Sequence, residues 1–523
     1  MGPPPDWILV ADAAACFVLA PLTIWILLNG IDDLVVDAVA FVASVRSTFQ
    51  LRPAIRTVRQ MPERPIAVFV PCWHEHEVIP QMIQRNLGRI RYDNCTFFIG
   101  VYPNDEETVA TVRRAAERYP QVHMAMCPHE GPTSKADCLN WIYQRMLLEE
   151  SASGVRFEVI VTHDAEDVIH PDAMTWINWY ADEYDMIQVP VLPLPTPVWH
   201  WVHGVYCDEF AEYQARDMPA REIMNAFVPS NGVGTGFRRE ALEGLALDEA
   251  NRIFEPVCLT EDYENGLRLK LRGAKQLFVR SGNAITREYF PQSMRSAIRQ
   301  KTRWVTGIAL QTWDRHGWRG NLACRYWLWR DRKGLIGNPA SLLSNLLFFY
   351  GAGTLAISEC CGWEWGMRKA VQDLGPALGA TALLGTYRII YRGVCVGVHY
   401  GAAFVLTVPL RVLVANLINS AATFRAAWRF GISKWRGEPL RWLKTEHEYP
   451  TAAALTFERL RLGEILVRNG YLSRADLARA LETQPRGLRI GEHLIKLNLV
   501  DEKAVDEALR LQGVVPELGQ RAA

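Results

Sequence analysis

Residues 157–167 read Phe157-Glu158-Val159-Ile160-Val161-Thr162-His163-Asp164-Ala165-Glu166-Asp167. The β-branched run from Phe157 to Thr162 predicts a buried strand, and the acidic cluster after it falls where open α/β sheets place their ligand sites. Two earlier stretches follow the same pattern. Ile66 to Val70 runs into Trp73-His74-Glu75, and Thr96 to Tyr102 runs into Asn104-Asp105-Glu106. A fourth strand is expected over Asp185 to Val189. Between Arg64 and Arg330 such runs alternate with amphipathic helical stretches, which predicts an α/β sheet whose polar strand ends meet in one crevice.

At 523 residues the chain exceeds what one hydrophobic core usually organises, so two or three domains are expected. It carries 57 basic and 57 acidic residues, a balance that points to no nucleic-acid polymer partner and no disordered acidic tail. Eleven cysteines, from Cys16 to Cys395, form no paired CxxC framework, so reduced thiols in a cytosolic compartment are expected. Eighteen tryptophans at a mean hydropathy of −0.04 fit a mixture of soluble and membrane-associated parts.

Trp7 to Leu28 is apolar apart from Asp12. As a helix it would extend about 33 Å, enough to cross a hydrocarbon core of about 30 Å. No Lys or Arg precedes Trp7 and the run is long for a signal peptide, so an anchor is predicted. Arg46, Arg52, Arg56 and Arg59 follow it, which puts the next domain in the cytoplasm by the positive-inside rule. Further spans are expected over Ala340 to Ser358 and Leu374 to Ile390, with Arg388 and Arg392 marking the return inside. Tyr400 to Phe424 contains Pro409 and a central Arg411 costing about 2.5 to 3.5 kcal/mol at mid-bilayer, so it is read as interfacial or re-entrant. Buried soluble helices are the alternative for each. Ser433 to Thr456, with Pro439 and Pro450, reads as a linker.

Further polar motifs follow in order: Lys135-Ala136-Asp137-Cys138-Leu139-Asn140, Thr260-Glu261-Asp262 and Gln300-Lys301-Thr302-Arg303-Trp304. Each alone is a solvated loop as readily as a site. Together with the strand ends and the membrane segments they resemble the membrane enzymes of glycosyltransferase family 2, the class of cellulose and hyaluronan synthases. The resemblance covers Arg64 to Leu335. It implies a GT-A fold, an inverting hexosyl or N-acetylhexosaminyl transfer, a nucleotide-diphosphate sugar (a UDP-sugar foremost), a glycan acceptor and Mg2+ or Mn2+. A departing diphosphate needs a cation held by hard oxygens, and the resemblance gives that role to Asp164 and Glu166. The family usually has Asp where Glu166 stands, which leaves Asp167 as an alternative. An attacking hydroxyl needs a base, worth about 10² to 10⁴ in rate, and Asp262 matches it. Arg303 can clamp phosphate bidentately and Trp304 can face a sugar ring, with Gln300 beside them. Lys135 is assigned to the diphosphate, Asp105 to the nucleoside, and Glu75 and Glu261 to substrate. Asn231-Gly232-Val233-Gly234-Thr235-Gly236 lacks a Rossmann context and is read as backbone approaching substrate, or an ordinary glycine turn.

His163 to Pro171 and Arg299 to Trp304 look like the bacteriophage adsorption protein B subgroup. That resemblance implies a bacterial inner-membrane protein with an outer-membrane export or phage-receptor partner, acting in exopolysaccharide synthesis or secretion. Its rival is a non-catalytic membrane assembly protein retaining the fold, against which the intact Asp164, Asp262 and Arg303 argue.

The tail repeats itself: Arg461-Leu462-Gly463-Glu464 matches Arg489-Ile490-Gly491-Glu492, and Gln484 matches Gln512, each 28 residues on (489 − 461 and 512 − 484). A duplicated helix, turn and helix is predicted, an all-α tandem-repeat domain. It resembles the MshEN domain of type II secretion ATPases, which implies cyclic di-GMP as an allosteric ligand. The half-sites would be Arg461, Leu462, Gly463, Leu466, Leu472, Leu477, Leu481 and Gln484, and Arg489, Ile490, Gly491, Leu494, Val500, Leu509 and Gln512. A plain helical contact module is the alternative. Residues 1–60 are thus read as anchor and linker, 61–335 as the GT-A domain, 336–430 as transmembrane and interfacial helices, 431–456 as linker and 457–523 as regulatory domain.

Overall fold

Four β-branched runs form strands within two residues of the expected bounds, and they lie at the centre of a seven-stranded sheet. The computed structural model describes residues 4–49, 53–248, 252–280, 284–438, 440, 462–468, 470–485 and 488–512. Its strands are β1 Ile66–Pro71, β2 Cys95–Val101, β3 Val122–Met126, β4 Val159–Thr162, β5 Met186–Gln188, β6 Val191–Pro193, β7 Thr235–Arg238, β8 Gln276–Phe278 and β9 Thr286–Glu288. The large sheet runs β3-β2-β1-β4-β7-β5-β8, and β6 pairs with β9 separately. β1 lies parallel to both β2 and β4, with Phe69 opposite Thr162 and Pro71 opposite Gly100. β7 is antiparallel to both β4 and β5.

Helices cover both faces, so the central strands are apolar throughout rather than alternating. Val68, Val70, Ile99 and Val161 pack on one side with Met82 and Ile177, while Phe69, Phe98 and Ile160 pack on the other with Leu139, Ile142 and Phe237. Strand order reverses between β1 and β4, and a crevice opens at the carboxyl ends of adjacent strands at such a point. Trp73-His74-Glu75 and the acidic cluster lie there.

Among the described residues two helices are long and apolar enough to cross a membrane, Asp6–Phe49 and Leu322–Cys361. They run antiparallel. Asp12 accepts a 2.8 Å hydrogen bond from the Tyr350 hydroxyl, and twenty residues on Asp32 and Asp33 pair with Arg330. The first helix, at 44 residues, is about 66 Å long, about twice a hydrocarbon core of about 30 Å. Its second half carries Asp32, Asp33 and Asp37, which bind Arg216, Arg330, Lys333 and Arg388. Arg216 comes from helix Trp201–Ala215's end and Arg388 from helix Gly375–Tyr400, so one ionic cluster ties the catalytic sheet's flank to three long helices.

Helix Gly375–Tyr400 occupies the third expected span but is not among the two that satisfy length and apolarity. After Gly401 (φ +84°) the chain resumes as Ala402–Leu406 and Val408–Arg436. Arg411, whose charge is a reason for reading this segment as interfacial or re-entrant, is fully buried on Asp208 at 2.7 and 2.8 Å. Helix Val408–Arg436 continues through residue 431, where the linker is expected to start, and is capped by Gly437 with a left-handed φ of +66°. In the tail, helices Leu462–Arg468, Arg474–Glu482, Ile490–Lys496 and Glu502–Gln512 surround Ile465, Leu466, Leu472, Ala480, Leu494, Ala504 and Ala508.

Candidate active site

Three carboxylates gather at the mouth of β4. Asp164 and Glu166 follow that strand, Glu288 ends β9, and ligand oxygens of all three lie within 4.8 Å of one another. Asp167 faces elsewhere: one oxygen meets His163 Nδ1 at 2.7 Å and accepts the Asp164 N–H at 3.0 Å. The turn is thus tied by Asp167 and presents Asp164 and Glu166 to the crevice. Burial and then the charges of Asp167, Glu166 and Asp164 push Glu288 well above the usual carboxylate range. Three hard oxygen donors repelling one another suit Mg2+ or Mn2+.

Lys135 begins helix Lys135–Ser153, whose start is fixed by the Ser134 hydroxyl accepting the Asp137 N–H at 3.2 Å. Its Nζ lies 2.5 Å from Asp164 Oδ1. Burial alone would depress the ammonium, but Asp164, Glu261 and Asp262 outweigh that and hold its pKa above the ordinary value.

Asp262 sits in the first turn of helix Glu261–Leu271. Oδ1 accepts the Tyr263 N–H at 2.7 Å. A Cβ on Gly232 would lie 2.5 Å from Asp262 Oδ2 and 3.3 Å from Lys135 Nζ, and Gly232 itself has φ +79°. Only glycine lets that backbone touch the carboxylate. Burial raises Asp262, with Lys135 opposing, and burial followed by Asp262 pushes Glu261 up to about 7.

Helix Met294–Trp304 carries Gln300, Arg303 and Trp304 and passes directly into a π-helix, Val305–Gln311. A Cβ on Gly307 would lie 2.2 Å from Thr260 Oγ1, so the wide turn is seated against the Thr260-Glu261-Asp262 segment. Gln311 fixes the approach to it, accepting the Leu259 N–H at 2.9 Å and donating to the Val257 carbonyl at 3.0 Å. Short π segments recur at functional sites because they re-aim side chains. Arg303 Nε and Gln300 Oε1 are buried without a hydrogen-bond partner among the described residues. Trp304 forms an aromatic wall with Tyr206, Phe210 and Phe290, at centroid distances of 5.9, 6.1 and 6.4 Å.

Two chambers meet here. The smaller, about 70 Å³, is lined by Trp73, Glu75, Tyr102, Ser134 and Glu166 among others. The larger, about 400 Å³, is lined by Asp262, Glu261, Trp304, Phe290, Tyr213 and Arg392 among others. Lys135, Asp164, Glu288, Gln300 and Arg303 line both. Asp105 lines neither: its carboxylate caps helix Glu106–Arg118 and accepts the His74 N–H at 2.6 Å, holding the Trp73-His74-Glu75 loop from behind. An Asp preceding Glu106-Glu107 is also a cap signal legible in the sequence.

Among the tail residues, Leu466 and Leu494 are fully buried and Leu472 nearly so. They fall on inward faces and hold the four helices together. Gly463 and Gly491 admit Leu477 and Leu462 respectively against the backbone. Leu477, Ile490 and Val500 also pack on the tail core. Leu481 and Arg489 are exposed. Gln484 donates to the Leu488 carbonyl at 2.6 Å. Arg461 and the Gln512 side chain lie outside what the structure describes.

Glu261, Asp262 and Glu288 all bind protons more tightly folded than unfolded. For Glu261, stability is therefore fully present below its ordinary 4.5 and is lost as pH rises through about 7. A cation that replaces those protons should stabilise most where they have left. Mn2+ is expected to raise the melting temperature of the full chain more at pH 8 than at pH 5.5, and Glu288→Gln to flatten that difference. Equal shifts at both pH values would count against a cation at these carboxylates.

Residues 62–307 match the family described as glycosyltransferase like family 2. Bacteriophage adsorption protein B of Escherichia coli (strain K12) is 33% identical over 547 aligned residues, covering 98% of this chain and 73% of the relative. The same figures hold for bacteriophage N4 adsorption protein B of Escherichia coli O157:H7. Among solved structures, the mannosyltransferase PcManGT from Pyrobaculum calidifontis, in complex with GDP-Man and Mn2+, aligns with a TM-score of 0.42 at 16% identity, over 80% of this chain and 98% of that one. S. aureus TarS 1-349 in complex with UDP-GlcNAc aligns at 0.30 and 10%, over 74% and 98%. With one-third identity across nearly its whole length and a glycosyltransferase-like domain around this crevice, the chain belongs to the bacteriophage adsorption protein B family.

Proposed function

We propose that this chain is an inverting glycosyltransferase that moves a hexosyl or N-acetylhexosaminyl group from a nucleotide-diphosphate sugar, a UDP-sugar foremost, to a growing glycan. The observation that carries this is the junction of the two chambers, where Lys135 and Arg303 lie between a three-carboxylate cluster and Asp262. The donor's diphosphate fits the smaller chamber, beside Lys135 and the unpartnered Arg303 Nε. Asp164, Glu166 and Glu288 would hold Mg2+ or Mn2+, which when bound supplies charge stabilisation to a departing diphosphate. The acceptor fits the larger chamber, with a sugar ring on the Trp304 wall.

In that arrangement Asp262 Oδ2 takes the proton of the acceptor hydroxyl. Its raised affinity for protons makes it a stronger base than a surface carboxylate. The Tyr263 N–H holds the other oxygen, and the Gly232 backbone closes one side, so the carboxylate has little freedom to turn away. Attack from the acceptor side while the diphosphate departs from the donor side inverts the anomeric centre. Arg303 and Lys135 neutralise charge on the leaving group.

The finer setting is an extension of this reading. The catalytic and tail domains are assigned to the cytoplasmic side of a bacterial inner membrane, with Val408–Arg436 lying at the interface on its exposed Leu410, Leu417, Phe424 and Trp428. The process is exopolysaccharide synthesis or secretion, with an outer-membrane export or phage-receptor partner. Cyclic di-GMP binding to the MshEN-like tail activates transfer; the support is the repeated Arg-Leu/Ile-Gly-Glu start and the exposure of Arg489 at the second one.

Asp262→Asn should leave donor binding near wild type and cut transfer below about a tenth, since it removes only the base. Retention of most transfer would assign the base elsewhere. For the tail, calorimetry on the full chain should find Arg489→Ala weakening cyclic di-GMP binding about ten-fold, the value of a charged hydrogen bond. Absence of binding to the unaltered chain at high micromolar ligand would reduce the tail to a contact module. Cys360 and Cys361, the exposed cysteines, end helix Leu322–Cys361. They should react with an impermeant maleimide from the periplasmic side; reaction only after permeabilisation would reverse the orientation.

A further inference from the structure

Asp172 ends the segment that begins at Asp164, and its side chain is 2% exposed beneath two guanidinium groups. Arg59 grips it, Nε at 3.0 Å and Nη2 at 2.8 Å, and Arg91 Nη1 lies 3.7 Å away. Two cations on one carboxylate leave an excess of positive charge. The tail offsets it: Glu507 Oε1, from helix Glu502–Gln512, lies 2.9 Å from Arg59 Nη1 and 3.0 Å from Arg91 Nη1. Tyr471 donates its hydroxyl to the same carboxylate, and the Arg56 guanidinium sits 4.0 Å over its ring.

The duplicated tail shows that this dock is specific to one set of positions. At the 28-residue offset Glu507 corresponds to Arg479, and Tyr471 to Leu499 (507 − 479 and 499 − 471). Arg479 pairs within its own helix with Asp476, and Leu499 packs in the tail core. The halves therefore differ in chemistry at the residues that touch the catalytic domain. The inner part of the acidic loop has its own supports, with Asn86 bonded to the Asp167 carbonyl and the Ile169 N–H. Its outer end is held by the Arg91 N–H to Pro171 bond, by the Asp172 N–H donated to His170 Nδ1 at 3.1 Å and by the ionic group around Asp172.

We propose that Glu507 is a positioning residue for the acidic loop: by neutralising the Arg59 and Arg91 pair it keeps both on Asp172 and so holds Asp164 and Glu166 in place for a cation. This rests on the reading of those carboxylates as cation ligands. Without Glu507 the two guanidinium groups share a single anion, and each is about a fifth exposed, free to turn one of them to solvent. The loop's outer end then loosens.

The test uses the full chain in detergent, with Mn2+ alone as probe followed by electron paramagnetic resonance, and amide exchange over residues 163–172. Glu507→Gln should weaken Mn2+ binding about three- to ten-fold and speed exchange across 163–172, the scale of coupling carried by one ionic contact. Glu507→Asp should recover part of both, and exchange in β1 and β2 should stay unaltered in either variant. Unchanged Mn2+ affinity in Glu507→Gln, with or without faster exchange, overturns the proposal. If the unaltered chain binds no Mn2+, the cation reading falls, and unchanged exchange over 163–172 would then dispose of the positioning role as well.

Discussion

Everything about the crevice follows from crowding carboxylates. Asp164, Glu166, Glu261, Asp262 and Glu288 line two small chambers that share Lys135 and Arg303 as cations. At an effective dielectric near 20, two unit charges about 4 Å apart interact by about 4 kcal/mol, so such a group does not assemble unless a scaffold imposes it. The scaffold is visible on every side. Asp167 ties the acidic turn through His163, β6 brings Glu288 in on β9, and the π-helix seats Gly307 on Thr260. Burial first and this repulsion second raise the proton affinity of Glu261, Asp262 and Glu288.

A second constraint joins this site to the long helices. Glu212, Asp331 and Arg392 line the far side of the larger chamber, and the same residues belong to the ionic contacts around the long helices. Glu212 pairs with Arg216, Arg388 and Arg392, while Asp331 holds Arg221 and the Tyr263 hydroxyl. Buried ion pairs add little net stability, but breaking one leaves an uncompensated charge and is costly. Their effect is therefore on geometry: a shift of the crossing helices against the sheet would disturb Tyr263, the residue next to Asp262.

The sequence made the sheet's centre legible and its margins obscure. Strands such as Val159–Thr162 are buried on both faces and so read as continuous β-branched runs. Thr286-Arg287-Glu288 carries no such signal, because its strand is made by long-range pairing, with Val191–Pro193 and at Arg287 with Val168. Glu288 was therefore invisible as a member of the carboxylate cluster, although any acid near residue 290 could have been weighed. Gly307 is a comparable case, since its meaning lies in Thr260, whose side chain occupies the space a Cβ would need, and not in its sequence neighbours. Some residues carry a local role besides: Asp105 caps a helix, Arg411 pairs with Asp208, and Leu466 and Leu494 lie in the tail core.

The acidic motif itself shows how a departure from a family pattern can be compensated. With Asp at 164 and acids at both 166 and 167, sequence alone offered two candidates for the second oxygen ligand. The buried imidazole of His163 engages one of them, its Nδ1 lying 2.7 Å from Asp167 Oδ2. Glu166 is then left to the crevice, and its additional methylene extends the carboxylate toward Asp164 and Glu288. Had residue 166 been Asp, the shorter arm would need the backbone to come closer, and that backbone is held by Asn86 at the Asp167 carbonyl. The glutamate, the paired histidine and the incoming Glu288 are thus parts of one geometric solution, in which no single substitution can be judged apart from the other two.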